Sequence, residues 1–356
     1  MRREDPKFRS RLLVVFGGRS SEHEVSLRSA TSILDNLDRE RLEPVLLGVR
    51  RDGSWCTGAL GLPLADIIAR GEPVQDLRAL APDIVLPVLH GPFGEDGTFQ
   101  GLLEVLGLPY VGSGVLASAM CMDKAVMKRA LTQQEPAIPM VPWVELDGRN
   151  IGVAELAAAI DRVGAQLGYP CFVKPANQGS SIGISRAGDE HELRVAIEMA
   201  TRYDPKIVVE RAVDAREIEL AVLGDGGPDT IVSEPGEIVL PDGLWYDYEN
   251  KYLKDVAGLE IPATLPAESR AQLKALALRA FRAAGCHGLA RVDFFVDRVT
   301  LAPYLNEVNT MPGFTSISMY PRLMAHAGVP YSEQLTRLCA LALARHEARR
   351  ALRITR

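Results

Sequence analysis

Asp293, Glu307 and Asn309, with Arg291 beside them, are the residues whose types and spacing most readily do chemistry in this chain. They fall in Arg291-Val292-Asp293-Phe294-Phe295-Val296 and in Leu305-Asn306-Glu307-Val308-Asn309-Thr310-Met311-Pro312-Gly313. Both stretches are rich in branched and aromatic residues, which predicts strands. Alternation puts Arg291 and Asp293 on one face of the first and Glu307 and Asn309 on one face of the second, and it sends Val292, Phe294 and Val296 into a core. A turn of about six or seven residues would fold the two into a hairpin with its polar faces together. Carboxylate and amide oxygens converging beside an arginine suit Mg²⁺ held against phosphates, with water filling the remaining positions. For either acid alone, the plain alternative is the solvated face of an edge hairpin. Two such strands followed by a Pro-Gly turn favour the metal.

The elements that must position this hairpin fit a large soluble chain. The 356 residues are 47% hydrophobic and 24% charged, which predicts two or three domains with ample core. A net charge of −6 gives no basic footprint and argues against a nucleic-acid partner. Five cysteines (56, 121, 171, 286 and 339) are scattered without CxxC pairs, as expected of reduced thiols in a cytosol. The apolar run Leu12–Phe16 is too short for a signal peptide, and no stretch approaches a membrane span.

Along the chain, Leu12–Phe16 reads as a buried parallel strand. Gly17-Gly18-Arg19-Ser20-Ser21 ends it, and a helix follows with Val25, Ala30, Ile33, Leu34 and Leu37 near one face. A helix start after glycines can hold a phosphate. Here Glu22 and Glu24 stand where an anion would sit, and a carboxylate there suits a substrate ammonium; Glu24 could equally be a helix-dipole partner. Val45–Val49 and Asp83–Val88 read as further strands, with a helix near Ile67–Arg70 between them. The loop His90–Thr98 lies at a strand end, where open α/β sheets bind ligands, although a lone loop histidine is commonly just solvated. Leu108–Val111 reads as one more strand. Residues 1–123 thus form one α/β domain with a Rossmann-like parallel sheet. Beyond it, a strand ending in Lys174, a small-residue loop, a strand, a helix capped by Asp189 and Glu192, and strands at Ile207–Glu210 and Glu217–Val222 predict antiparallel α+β. Residues 235–256 make a long irregular segment with many aromatics, which reads as a lid.

The loop Asn177–Gly183 has two sharp readings. Gly179-Ser180-Ser181-Ile182-Gly183 matches G-x-S-x-G, which would make Ser181 a hydrolase nucleophile, but that motif needs a following helix, and Ile184–Gly188 is too short and too glycine-rich to begin one. The other reading is a hairpin whose backbone N–H groups cover triphosphate oxygens, with Lys174 as a point charge. No G-x-x-x-x-G-K-[ST] and no HExxH occurs, which excludes a P-loop and a zincin. A catalytically silent nucleotide-binding regulator would have no need of Glu307 and Asn309.

Taken together, seven blocks closely resemble the D-alanine–D-alanine ligases, a family of ATP-grasp enzymes. They are Phe16–Ser26, His90–Thr98, Cys121–Lys124, Lys174–Gly183, Tyr246–Tyr252, Gly288–Asp293 and Leu305–Ser318, in order and nearly end to end. The resemblance implies an N-terminal α/β domain (1–123), a central ATP-grasp subdomain (124–213) and a C-terminal ATP-grasp domain (214–356) that clamps the nucleotide. It implies ATP-dependent joining of two D-alanines through an acyl phosphate for peptidoglycan precursor synthesis. It also implies a cytoplasmic homodimer without membrane attachment.

By the same resemblance, Asp293, Glu307 and Asn309 hold two Mg²⁺ or Mn²⁺ ions. Lys124 and Lys174 contact the ATP phosphates, Glu210 and Val213 the adenine edge and Glu217 the ribose; Ser181 and Lys251 also bind ATP, Lys251 near the second D-alanine's carboxylate. Arg291 and the Gly313 N–H form an oxyanion site. Glu24 holds the first substrate's ammonium, linked through Ser180 to Tyr252 in the lid. His90 lies near the first D-alanine, and Ser318 and Met319 receive the second carboxylate. Some relatives accept D-lactate as second substrate and differ at the position of Tyr252; the tyrosine here resembles the dipeptide-forming type, with D-alanyl-D-lactate formation as the alternative.

Overall fold

The structure is a computed structural model that describes residues 9–149, 151–239 and 258–353. The first unit runs β1 (Ser10–Gly17), α1 (His23–Asn36), β2 (Leu42–Val49), β3 (Trp55–Thr57), α2 (Leu64–Arg70), β4 (Glu72–Val74), β5 (Ile84–Pro87), α3 (Thr98–Leu106) and α4 (Val115–Met122). Its sheet has the order β4-β3-β2-β1-β5, with β1 parallel to both β2 and β5. The unbroken apolar run of β1 has a simple cause: both of its faces are covered. Leu12, Val14 and Phe16 pack with Leu27, Ala30 and Ile33 of α1 on one side, and Leu13 and Val15 pack with Phe99 and Leu103 of α3 on the other. The short strands β3 and β4 are additions to the predicted set; each is antiparallel to its neighbour. The strand expected at Leu108–Val111 reduces to a single bridge between Tyr110 and Val85, because the chain turns away at Gly112, where φ is +98°.

The middle unit comprises α5 (Lys124–Thr132), β6 (Trp143–Asp147), α6 (Val153–Gln166), β7 (Cys171–Pro175), β8 (Ser185–Ala187), α7 (Glu190–Ala200) and β9 (Lys206–Arg211). Its sheet, β6-β9-β7-β8, is antiparallel throughout. Leu156, Ile160 and Val163 of α6 and Leu193 and Ile197 of α7 bury one face of it. Half of the predicted capping box forms: Asp189 accepts from the Glu192 N–H at 2.9 Å, while the Glu192 carboxylate accepts from Gly188 N–H at 2.7 Å.

The last unit holds β10 (Ala215–Gly224), β11 (Ile231–Val232), β12 (Gly236–Val239), β13 (Gly258–Glu260), α8 (Ala267–Ala283), β14 (Gly288–Asp297), β15 (Pro303–Asn309), α9 (Met319–His326) and α10 (Tyr331–Arg350). Its main path is β13-β12-β10-β14-β15, again antiparallel. Leu273, Leu276, Ala277, Ala280 and Phe281 of α8 pack against Val292, Phe294, Val296, Leu305 and Val308. On the other side, Tyr320, Leu323 and Met324 of α9 and Leu335 and Leu338 of α10 enter the same apolar cluster as β1 and α1. The first and last units therefore share a core, and the ends of β1, β5 and β15 converge. All five cysteines are buried free thiols. No described helix is long and apolar enough to cross a membrane.

Candidate active site

The hairpin of β14 and β15 forms as its residue pattern predicts, closed by the shorter connection 298–302. Arg291 pairs with Asn309 and Asp293 with Glu307. On its other side Asp293 pairs with Glu219 of β10. Carboxylates thus stand side by side on three neighbouring strands, an unfavourable arrangement unless cations share them. One guanidinium does so. Arg291 donates through Nε to Asp293 Oδ1 at 2.8 Å and through Nη2 to Oδ2 at 2.6 Å. Its Nε also lies 3.0 Å from Glu219 Oε2, and its Nη2 3.8 Å from Glu307 Oε1. Burial opposes the charge on Arg291, but Asp293, Glu219 and Glu307 outweigh it and push its pKa well above the usual value.

The pairing register shifts between Asp293 and Phe294, whose partners are Glu307 and Leu305. Asn306 is therefore the extra residue of a β-bulge. Leu305 and Val308 both stay in the core, which leaves Asn306 and Glu307, although consecutive, off the core row. Asn306 Oδ1 accepts from Lys174 Nζ at 3.3 Å. Asn306 and Glu219 are site residues that the motif pattern alone did not single out. Glu219 had a signal, since Glu217-Ile218-Glu219-Leu220 alternates acid and apolar; Asn306 had none, because a bulge is invisible to a period of two.

Opposite the hairpin lies the loop after β7. Ser180 and Ser181 both take positive φ, +50° and +58°. The chain then enters β8 rather than a helix, so Ser181 does not sit on a nucleophile elbow. The Ser180 hydroxyl donates to the carboxylate of Glu22, which corrects the expected link to Glu24. Glu22 is 6% exposed at the start of α1. A β-carbon at Gly179 would lie 2.9 Å from Glu22 Oε2, and one at Gly91 2.6 Å from the same atom. Glu24 is two residues further on, roughly 200° around the helix, and it points outward to Arg51, 3.3 Å away, with 69% of its side chain exposed.

Lys124 opens α5 after Asp123, which caps the helix by accepting from Ala125 and Val126 N–H groups. Its Nζ reaches Gln178 O on the same loop at 2.7 Å. Glu210 on β9 is buried between two lysines, with Oε1 2.8 Å from Lys128 Nζ and Oε2 2.6 Å from Lys174 Nζ. Burial alone would raise its pKa, but Lys128 and Lys174 overcome that and hold it down to about 2. Val213 lies half-buried in the connection from β9 to β10, and Glu217 on β10 pairs with Phe295 and Ile238.

His90 is buried too. Its Nδ1 lies 3.1 Å from Met311 O and 3.4 Å from Glu95 Oε1, and its Nε2 3.0 Å from Ser29 Oγ. Burial lowers its pKa, but Glu95 first, then Glu22 and Met311 O, more than compensate, so the net direction is up. At the far end, Ser318 precedes α9, and its hydroxyl is 2.7 Å from Thr315 Oγ1. Lys251, Tyr252 and most of the expected lid lie outside the described residues.

One cleft of about 1100 Å³ is lined by Glu22, His90, Glu95, Lys124, Ser180, Glu219, Arg291, Glu307, Asn309, Gly313, Ser318 and Met319. It offers a carboxylate for a cation at one end, and a guanidinium with glycine and helix-start N–H groups for anions at the other. Glu219, Asp293 and Glu307 gather around Arg291. These hard oxygen donors, with Asn309 beside them, are of the type that suits a divalent cation.

Comparison with known proteins identifies the family. Two family models match, the D-ala D-ala ligase N-terminus over residues 11–113 and the D-ala D-ala ligase C-terminus over residues 132–340. A D-alanine–D-alanine ligase from Solibacter usitatus is 46% identical over 97% of this chain and 99% of its own length. Among solved structures, the VanG D-Ala:D-Ser ligase from Enterococcus faecalis is 34% identical with a TM-score of 0.81, covering 94% of this chain and 100% of that one. The D-alanine–D-alanine ligase from Bacillus anthracis complexed with ATP is 30% identical with a TM-score of 0.73, covering 96% and 99%. With both halves matched and a close relative aligned nearly end to end, the chain belongs to the D-alanine–D-alanine ligase family.

Proposed function

We propose that this protein joins two D-alanines into D-alanyl-D-alanine, converting ATP to ADP and phosphate, for cell-wall precursor synthesis in the cytoplasm. The observation that carries this reading is the facing pair of groups across one cleft: Glu22 with Ser180 on one side, and Arg291, held by Asp293, with Glu307 and Asn309 on the other. In the first step a carboxylate oxygen of one D-alanine attacks the γ-phosphorus of ATP; ADP leaves and an acyl phosphate forms. In the second, the amine nitrogen of the other D-alanine attacks the acyl carbon. The tetrahedral intermediate loses phosphate, and the nitrogen loses a proton.

The residues divide this work by charge. Glu22, cradled by Gly91 and Gly179, holds the first D-alanine's ammonium, in the place first expected of Glu24. His90 borders that substrate. Lys124, Lys174 and Ser181 receive the phosphates, joined by Lys251; Glu210 and Val213 serve the adenine, and Glu217 the ribose. Asp293, Glu307 and Asn309 would hold two Mg²⁺ or Mn²⁺ ions, whose chemistry is neutralisation of phosphate charge. Arg291, fixed through Nε and Nη2 by carboxylates, and the Gly313 N–H are preorganised for the developing oxyanion. Losing one such donor costs about 3–4 kcal/mol in comparable sites. Ser318 and Met319 at the start of α9 take the second carboxylate, as helix N-termini do, and Tyr252 completes the Glu22–Ser180 link. The working form in this reading is a homodimer that uses neither nucleic acid nor membrane.

The test is phosphate release with ATP and Mg²⁺, comparing no amino acid, L-alanine, D-alanine, and D-alanine with D-lactate or D-serine, with products weighed by mass spectrometry. D-alanine-dependent release giving the dipeptide is expected. Predominant D-alanyl-D-lactate or D-alanyl-D-serine in competition would overturn the second substrate, and absence of D-alanine dependence in folded protein would overturn the first.

A further inference from the structure

Ser29 lies on α1 in the first unit, fully buried, and 285 positions from the loop it touches. Its hydroxyl oxygen accepts from the Phe314 N–H at 3.3 Å and stands 3.0 Å from His90 Nε2. The other ring nitrogen of His90, Nδ1, is 3.1 Å from Met311 O. Ser29 and His90 therefore grip the loop at Met311 and at Phe314, one on each side of Gly313. A hydroxyl both donates and accepts, so the contact with Nε2 persists whether or not the ring is protonated. The loop has little other freedom to drift. Met311 and Phe314 are buried, the latter against Tyr320 and Tyr331, and a β-carbon at Gly313 would lie 2.9 Å from Ser318 Oγ.

We infer that Ser29 is a positioning residue for the ligation. Through His90 and the Phe314 amide, it sets the direction of the Gly313 N–H toward the tetrahedral centre. This rests on the oxyanion role of Gly313 proposed above. Ser29 is fully buried and is not among the residues that line the cleft. It makes the first unit of the chain part of the geometry in which the last unit stabilises charge. Displacement of a catalytic group by about 1 Å can cost about a hundredfold.

The experiment is Ser29→Ala, a change that removes one buried oxygen, assayed beside the wild type and beside His90→Gln and the double variant. Three quantities are read: kcat, KM for ATP, and the affinity of a phosphinate analogue of the dipeptide, tetrahedral at the reacting centre. Expected is a fall in kcat of about tenfold to a hundredfold. Phosphinate affinity should fall in proportion, because only interactions stronger in the transition state act this way. KM for ATP should stay within about twofold, since no ATP contact changes. Ser29→Ala added to His90→Gln should cost little beyond His90→Gln alone, as for two members of one linkage. Unchanged kcat, full additivity, or a loss shared equally by ATP binding and phosphinate binding would each overturn the inference. If the wild type itself lacks D-alanine-dependent turnover, the ligase reading falls and this inference with it; wild-type turnover with an indifferent Ser29→Ala removes the inference alone.

Discussion

Glu22→Gln and Glu24→Gln make a pair of nearly isosteric changes, two residues apart, whose effects should separate by at least about twofold and by up to about 150-fold. Glu22 is buried, receives the Ser180 hydroxyl, and sits where bulk at Gly91 or Gly179 would strike it. Hydrogen bonds to a charged group are worth about 1.5–3 kcal/mol, and removing the charge leaves the substrate ammonium without its counter-ion. At about 1.4 kcal/mol per tenfold, Glu22→Gln should lower kcat/KM for the first D-alanine by about tenfold to 150-fold. Among the described residues, Glu24 offers its carboxylate to Arg51, 3.3 Å away, and both side chains are more than half exposed. Such pairs contribute roughly 0–1 kcal/mol, so Glu24→Gln should change the same parameter by at most about fivefold. The assay is initial-rate phosphate release against D-alanine concentration at saturating ATP, with ATP affinity measured separately. Ser180→Ala should resemble a weaker Glu22→Gln and be non-additive with it. Equal losses in both glutamate variants, or a larger loss in Glu24→Gln, would refute the assignment of the ammonium site to Glu22.

Asp293→Ala and Glu307→Ala should each lower turnover by orders of magnitude while circular dichroism and the thermal transition show a folded chain; near-normal rates in both would sink the metal reading. Treatment with a chelator should abolish phosphate release, and Mg²⁺ or Mn²⁺ should restore it; release that persists without divalent cations would do the same damage. Ser181 should not label with a fluorophosphonate probe, since the chain after it enters β8, and labelling would revive a hydrolase. Lys128 and Lys174 hold the Glu210 carboxyl down to about 2 in the folded chain, against an ordinary 4.5. Its contribution to stability is therefore complete above about pH 4.5 and lost as pH falls toward about 2. Lys128→Met removes one of the two cations holding it down, so acid unfolding should begin at a higher pH than in the wild type. Superimposable unfolding curves would show that Lys128 does not hold Glu210 down.

What was legible in the sequence follows from which physical rules are local. The apolar run of β1, the helix of α8 and the alternation in β14 depend on near neighbours, and the elements form where those patterns predict. Arg291, Asp293, Glu307 and Asn309 share a face for the same reason. What local rules could not show is everything that depends on a partner far along the chain. Whether Glu22 or Glu24 faces the cleft is decided by where α1 starts and by Ser180, 158 positions away. The extra strands β3 and β4 are three residues each and extend the sheet beyond β2, β3 pairing with β2 and β4 with β3. The bulge is the sharpest case. Strict alternation from Glu307 puts Asn306 in the core, and an asparagine there would need buried partners. The shifted register instead keeps Leu305 and Val308 in the core and presents Asn306 to Lys174. The departure from the strand period therefore falls within the set of residues assigned to the phosphates and metal, and it brings the middle unit's lysine into contact with the last unit's hairpin. A regular strand would present alternate residues away from the core; the bulged one presents two in succession, and the added polar group, with Phe295 under the same lysine, ties Lys174 of the middle unit to the hairpin of the last.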